Sequence, residues 1–186
     1  MKEIIFCGMG GQGLVTAAQI LALAAGLHGE QYAQAIPAFT ADRRGAPVHA
    51  YIRLSPEPIL PHCFVYEPDC VVSFAWSATP WDEVRRTSHQ PLICIANLPA
   101  EQTGRFLEQG LQGGCLDANR LTQEILGSAS PPNAAMLGAF SAVTGWVNLD
   151  AIIEAILTSW PGELGERNAL AAQRAYSGVS VVEGVR

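Results

Sequence analysis

Five residues near the start of the chain, Gly8, Gly10, Gly11, Gln12 and Gly13 in the run GMGGQG, have the types and spacing of a phosphate-binding corner. Gly8, Gly10 and Gly13 follow the pattern G-x-G-x-x-G. In that pattern one glycine turns the chain, one lets a ligand or a second backbone approach, and one packs a helix against a strand. Gly11 adds a further position free to take positive φ. The N–H groups that open the following helix would face an anion with their partial positive charge. A second group suited to anions is Arg43 and Arg44, next to Gly45 in a stretch bounded by Pro37 and Pro47. Two guanidinium groups in an ordered loop suit carboxylate, phosphate or acidic-partner contacts better than lysines would.

Other chemistry is scarce. A dinucleotide reader places an acid at the end of its second strand, about 20 residues beyond the glycines, to hold the ribose hydroxyls. Here Glu30 comes at the beginning of that segment, and Gln34 and Pro37 stand where the acid belongs. The corner therefore reads as a packing or partner-binding element ahead of an NAD site. The cysteines, Cys7, Cys63, Cys70, Cys94 and Cys115, contain no C-x-x-C pair, and the four histidines contain no H-E-x-x-H. A metal or cluster site built by this chain alone is not expected. Cys7 and Cys94 fall in apolar strand patterns, where a reduced thiol serves as a small hydrophobe; the spacing leaves open whether Cys63 and Cys70 meet. Lys2 is the sole lysine, which removes Schiff-base and phosphate-loop lysines from consideration. There is no G-x-S-x-G elbow and no carboxylate pair with acid and base spacing.

The elements that must position these residues alternate. IIFC before the glycines reads as a buried strand. A helix rich in alanine and leucine from about Gln12 to Leu27 reads as buried on more than one face. The stretch Gln34 to Pro47 reads as an ordered loop, and VHAYIRL as a strand of period two that could enter antiparallel. Strands follow at Cys70 to Ala75 and Pro91 to Asn97. A short helix is predicted around Pro80 to Arg86 with Thr79 as its cap. Helical patterns then run over 117–126, 133–147, 149–160 and 164–176, with Asn148 capping the third of these. The pattern predicts an α/β fold: a single Rossmann-like three-layer domain spanning 1–186, with an open, mostly parallel sheet.

Composition narrows the function classes. Apolar residues make up 49% of the chain and charged residues 15%, against about a quarter charged in a typical soluble domain. That shortage suggests surface covered by a partner. A net charge of -6 without a basic aromatic stripe argues against nucleic-acid binding. No apolar run reaches the roughly 18 residues needed to span a bilayer. The expectation is a cytoplasmic protein with no membrane contact.

GMGGQG with its alanine-rich helix, ADRRGAPVHAYIRL, EPD at Glu67 to Asp69, NAAMLGA at Asn133 to Ala139, and ERNALAAQRAY containing Asn168 together resemble the gamma subunit of 2-oxoacid:ferredoxin oxidoreductases. The resemblance covers nearly the whole chain. R-G-A-P-V with its following arginine looks most like the pyruvate and branched-chain (ketoisovalerate) members, although Ala41-Asp42 stands where relatives commonly carry Pro-Glu. It implies a machine with alpha, beta and delta-type sister subunits, and ferredoxin as an indirect partner. In that machine thiamine diphosphate with magnesium, iron–sulfur clusters and coenzyme A belong to the whole complex, and none is bound by this chain alone. No residue of this chain would then be catalytic. Gly8, Gly10, Gly11, Gln12, Gly13, Arg43 and Arg44 become candidates for sister-subunit contact, ranked ahead of coenzyme A phosphates. Homodimerisation of the isolated subunit is a further expectation. The alternative is a free-standing nucleotide-binding protein that uses the same corner.

Overall fold

Ile4 and Phe6 face one apolar core and Ile5 and Cys7 the other, so the first strand is apolar on both sides and takes a central place. The computed structural model describes residues 1–38, 45–108, 111–127 and 130–182. Among these residues the strands are β1 (Lys2–Met9), β2 (Tyr32–Ala38), β3 (Pro47–Ser55), β4 (Cys70–Ser73), β5 (Ile93–Asn97), β6 (Gln112–Leu116) and β7 (Ser180–Val182). They form one open seven-stranded sheet in the order β2-β3-β1-β4-β5-β6-β7. β1, β4, β5 and β6 run parallel. β3 lies antiparallel to both β1 and β2, and β7 antiparallel to β6. Five strands thus share a direction, and the α/β fold with a mostly parallel sheet is as expected.

Helices α1 (Leu14–Leu23), α5 (Asn133–Thr144), α6 (Leu149–Ser159) and α7 (Glu163–Gly178) cover one face, with α4 (Ala118–Leu126) against α7. On the other face α2 (Trp81–Thr87) and α3 (Thr103–Glu108) contribute Val84 and Phe106 to a smaller core. α5 is the innermost helix, buried from Asn133 through Ser141. Its small residues allow α7 to come so close that a Cβ on Gly138 would run into the Ala172 carbonyl. Alanines at 169, 171, 172 and 175 form the matching face of α7.

Several sequence expectations need correction. The stretch 34–47 is not all loop, because Tyr32–Ala38 is the edge strand β2. Pro37 is tolerated there since an edge strand leaves one row of donors without a neighbour. The first helix begins at Leu14 and ends in a π-helical turn, Ala24–His28. Pro80, not Thr79, stands at the N-cap position of α2, with no side-chain cap bond. The Thr79 hydroxyl instead lies 2.7 Å from the Ser73 hydroxyl. Asn148 caps α6 as expected, its Oδ1 accepting the Ala151 N–H at 2.7 Å.

Arg53 is 2% exposed and organises the far end of the sheet. Its guanidinium donates to Glu3 Oε1 (2.8 Å), Gln34 Oε1 (3.0 Å) and the carbonyls of Cys63 (2.7 Å) and Phe64 (3.1 Å). A buried charge is tolerated only when paired and hydrogen-bonded in this way.

Adding one methyl group tests the core directly. Gly138→Ala should destabilise the chain by about 1–3 kcal/mol, the range for overpacking. Gly104→Ala in α3 meets no atom within 4 Å and should be neutral or stabilise by a few tenths to about 1 kcal/mol through the unfolded state. Thermal denaturation should show a lowered midpoint for Gly138→Ala and an unchanged or raised one for Gly104→Ala.

Candidate functional site

The glycine corner is held closed by its own glutamine. Gly11 and Gly13 take positive φ, 102° and 70°, which glycine adopts without steric cost. The Gly10 N–H donates to the Ala46 carbonyl at 3.0 Å, and the Gln12 N–H to the Met9 carbonyl at 3.2 Å. Gln12 then folds back, its Oε1 accepting the Met9 N–H at 2.7 Å and its Nε2 donating to the Phe74 carbonyl at 3.2 Å. A Cβ on Gly8 would sit 2.8 Å from that Oε1 and 2.9 Å from Phe74 Cβ, and one on Gly13 would sit 2.8 Å from Asn133 Nδ2. Gly8 and Gly13 therefore serve close packing, whereas Gly11 faces open space.

The Phe74 carbonyl accepts a second amide. Asn97 Nδ2 donates to it at 3.0 Å, and Asn97 Oδ1 accepts the Ala118 N–H at 3.0 Å at the start of α4. Two side-chain amides thus tie the carboxyl ends of β1, β4 and β5 to one another and to α4. Beside them opens a cavity of about 270 Å³ lined in part by Gln12, Trp76, Asn97, Gln102, Arg105 and Asn119. The carboxyl ends of parallel strands are where open α/β sheets place ligands.

The structure thus brings Gly8, Gly10, Gly11, Gln12 and Gly13 into one corner. Arg43 and Arg44 lie outside the described residues; Ala46, two positions beyond Arg44, accepts the Gly10 N–H of the corner. Sequence reasoning missed Asn97, Gln102, Arg105 and Asn119, which are isolated polar residues at element ends. The one signal was Asn97 closing an otherwise apolar strand. Other residues of the resemblance have architectural partners. Asp69 Oδ2 accepts the Glu3 N–H at 2.8 Å, and Asn168 Nδ2 donates to the Leu164 carbonyl at 2.8 Å.

No activated nucleophile accompanies the corner among the described residues. Burial, reinforced by Cys94, pushes the Cys7 thiol up to about 12, and burial does the same for Cys94. Cys70 is raised as well, again chiefly by burial. All five cysteines are free thiols. Among the described residues no group of three or more His, Cys, Asp or Glu is placed to hold a metal ion.

Residues 3–178 match the family model described as pyruvate ferredoxin/flavodoxin oxidoreductase. The chain belongs to this family. A pyruvate synthase subunit, PorC, from Methanothermobacter marburgensis is 41% identical over 176 residues, spanning 95% of this chain and 96% of that one. The common gamma subunit of the pyruvate/ketoisovalerate oxidoreductases of Pyrococcus furiosus is 41% identical over 186 residues, 98% of this chain and all of its own length. The crystal structure of the pyruvate oxidoreductase subunit PORC from Thermotoga maritima superposes with a TM-score of 0.82 at 32% identity, covering 98% of each chain. The gamma-subunit resemblance read from the motifs is therefore established, and the amide-closed corner is a feature of an oxidoreductase gamma-type chain.

Gln12→Ala should leave the Met9 N–H without its partner while Asn97 keeps the Phe74 carbonyl. The expected cost is about 1–3 kcal/mol, the range for an unsatisfied buried group, read as a lowered denaturation midpoint. A thiol reagent at pH 8 should modify exposed Cys63 in the native chain. Cys7, Cys70 and Cys94 should react only after unfolding, because their raised pKa leaves almost no thiolate. Intact-mass measurement before and after denaturant would count the modified thiols.

Proposed function

We propose that this chain, as one gamma-type domain over residues 1–186, is the gamma subunit of a thiamine-diphosphate- and iron–sulfur-dependent 2-oxoacid:ferredoxin oxidoreductase. Carbon dioxide is released from the 2-oxoacid, the acyl group passes to the sulfur of coenzyme A, and the electrons go to ferredoxin. Thiamine diphosphate with magnesium supplies the electron sink for that decarboxylation, and the clusters carry the electrons, on the alpha, beta and delta-type sister chains. The substrate class is a 2-oxoacid, pyruvate or 2-oxoisovalerate, and the setting is the cytoplasm. The observation that carries this reading is the match along nearly the full length of gamma-type relatives.

The contribution of this chain is positional. The corner from Gly8 to Gly13, kept rigid by Gln12, and the loop bearing Arg43 and Arg44 shape an interface with a sister subunit; coenzyme A phosphates are the second candidate for the same residues. Closing the corner with protein amides supports the first assignment, since the Met9 and Gly10 N–H groups are already used within the chain. The isolated chain is inactive in oxoacid oxidation and forms a homodimer.

Anaerobic purification from native cells tests the reading. Thiamine-dependent and iron–sulfur chains should accompany this one, with coenzyme-A-dependent oxidation of a 2-oxoacid; a colourless preparation of this chain alone would reject it. Replacing Arg43 and Arg44 together by alanine should lower assembly or turnover about tenfold or more, the scale of a lost charge-assisted pair. Unchanged assembly and turnover would reject both roles for the loop.

A further inference from the structure

A strand apolar on both faces needs cover on both faces. α2 and α3 cover Val71, Cys94, Ala96 and Cys115 on β4, β5 and β6. Among the described residues no helix lies squarely over the same face of β1 and β3; between them and the edge of α2 a cavity of about 370 Å³ opens, lined in part by Ile5, Cys7, His49, Tyr51, Tyr66 and Glu83. Its walls are aromatic. Tyr51 stacks on Phe64 with centroids 4.7 Å apart, and the His49 and Tyr51 rings are 6.5 Å apart. Glu83 is the one carboxylate of the lining and has no ion-pair partner among the described residues. Burial lowers the His49 pKa against the opposing pull of Glu83, and Glu83 is the one Asp, Glu, Lys or Arg among the described residues of the lining. His49 Nε2 is buried without a hydrogen-bond partner, a rare condition that points to an absent neighbour. The adjoining segment exposes Leu60 (81%), Phe64 (42%) and Tyr66 (69%), an apolar rim that suits a polypeptide better than a free small cation.

We propose that this groove receives an arginine side chain from a sister subunit, its guanidinium paired with the Glu83 carboxylate and laid against the Tyr51 and Tyr66 rings. A planar guanidinium forks onto a carboxylate and stacks on aromatic faces, whereas an ammonium is a strongly hydrated point charge. The apolar stem packs against Ile5 and Val84. Charge complementarity selects the occupant: Glu83 is an exposed carboxylate at the edge of the aromatic cleft, and it has no ion-pair partner among the described residues. The proposal rests on the subunit reading above for its partner and on the cavity for its chemistry.

Two measurements test the parts separately. In the co-expressed complex, Glu83→Gln should weaken binding of this subunit about tenfold, which is about 1.4 kcal/mol, and Glu83→Arg should weaken it further through like-charge repulsion. Asp82→Asn, which breaks only an exposed pair with Arg85 on the same helix, should leave assembly unchanged. In the full chain alone, N-acetyl-arginine amide should shift the ring NMR signals of Tyr51 and Tyr66 more strongly than N-acetyl-lysine amide, and Glu83→Gln should abolish the shift. Arginine amide without effect on these rings overturns the groove. Arginine amide binding together with wild-type assembly of both Glu83 variants overturns the partner arginine and leaves a free cation as the occupant. A wild-type chain that assembles with no thiamine or iron–sulfur partner overturns the functional reading, and the amide titration still decides the chemistry of the groove.

Discussion

The close approach of α5 to α7 at Gly138 is the constraint on which the rest of the structure depends. α5 is buried from Asn133 to Ser141, so every side chain on it competes for room with the sheet, α1, α6 or α7. Only small residues solve that problem, and at Gly138 not even a methyl group fits. The same helix begins at Asn133, whose amide lies against Gly13. The glycine at the corner and the glycine in the core are therefore spaced by one rigid helix. A shift of α5 away from α7 would be felt directly at the turn between β1 and α1.

Much of this was legible in the sequence because local chemistry and burial agreed. β1, β3, β4 and β5 have apolar runs that survive in any context, and Asn148 caps the helix that follows it. The parts that were not legible are those where tertiary context overrode local preference. Tyr32–Ala38 contains a proline and few β-branched residues, yet pairs along its length with β3 because it sits at an edge. β6 reads QGGCL, with two glycines that weaken strand propensity. A side chain on Gly113, whose φ is 133°, would strike the Cys94 carbonyl of the neighbouring strand, so backbone proximity dictated those residues. β7 is three residues long and carries no pattern at all.

The candidate site divides in the same way. The glycine spacing announced a tight turn, but the occupant of that turn was hidden in Gln12, a residue with no distinguishing signal. Its role needs Phe74, 62 positions away, to be within reach. Asn97 likewise acquires meaning only when β4 and α4 are placed beside it. The second groove was less legible still, since Ile5, His49, Tyr66 and Glu83 come from separate stretches that each read as ordinary strand, loop or helix.

Arg53 links these observations. By holding the carbonyls of Cys63 and Phe64 against the sheet, it fixes the segment whose Phe64 ring backs Tyr51. A solvated arginine at this strand position would leave that segment without its anchor, so one buried ion pair with Glu3 determines a wall of the groove. One face of the sheet is thus closed by five helices packed on small residues, while on the other, beside β1 and β3, the described residues leave an open aromatic groove. A protein that folded only for its own stability would gain by covering that groove, at roughly 25 cal/mol for each Å² of apolar surface removed from water. Leaving it open, with its wall fixed by a fully bonded buried charge, is the arrangement that the proposed docking of a sister subunit on this groove requires.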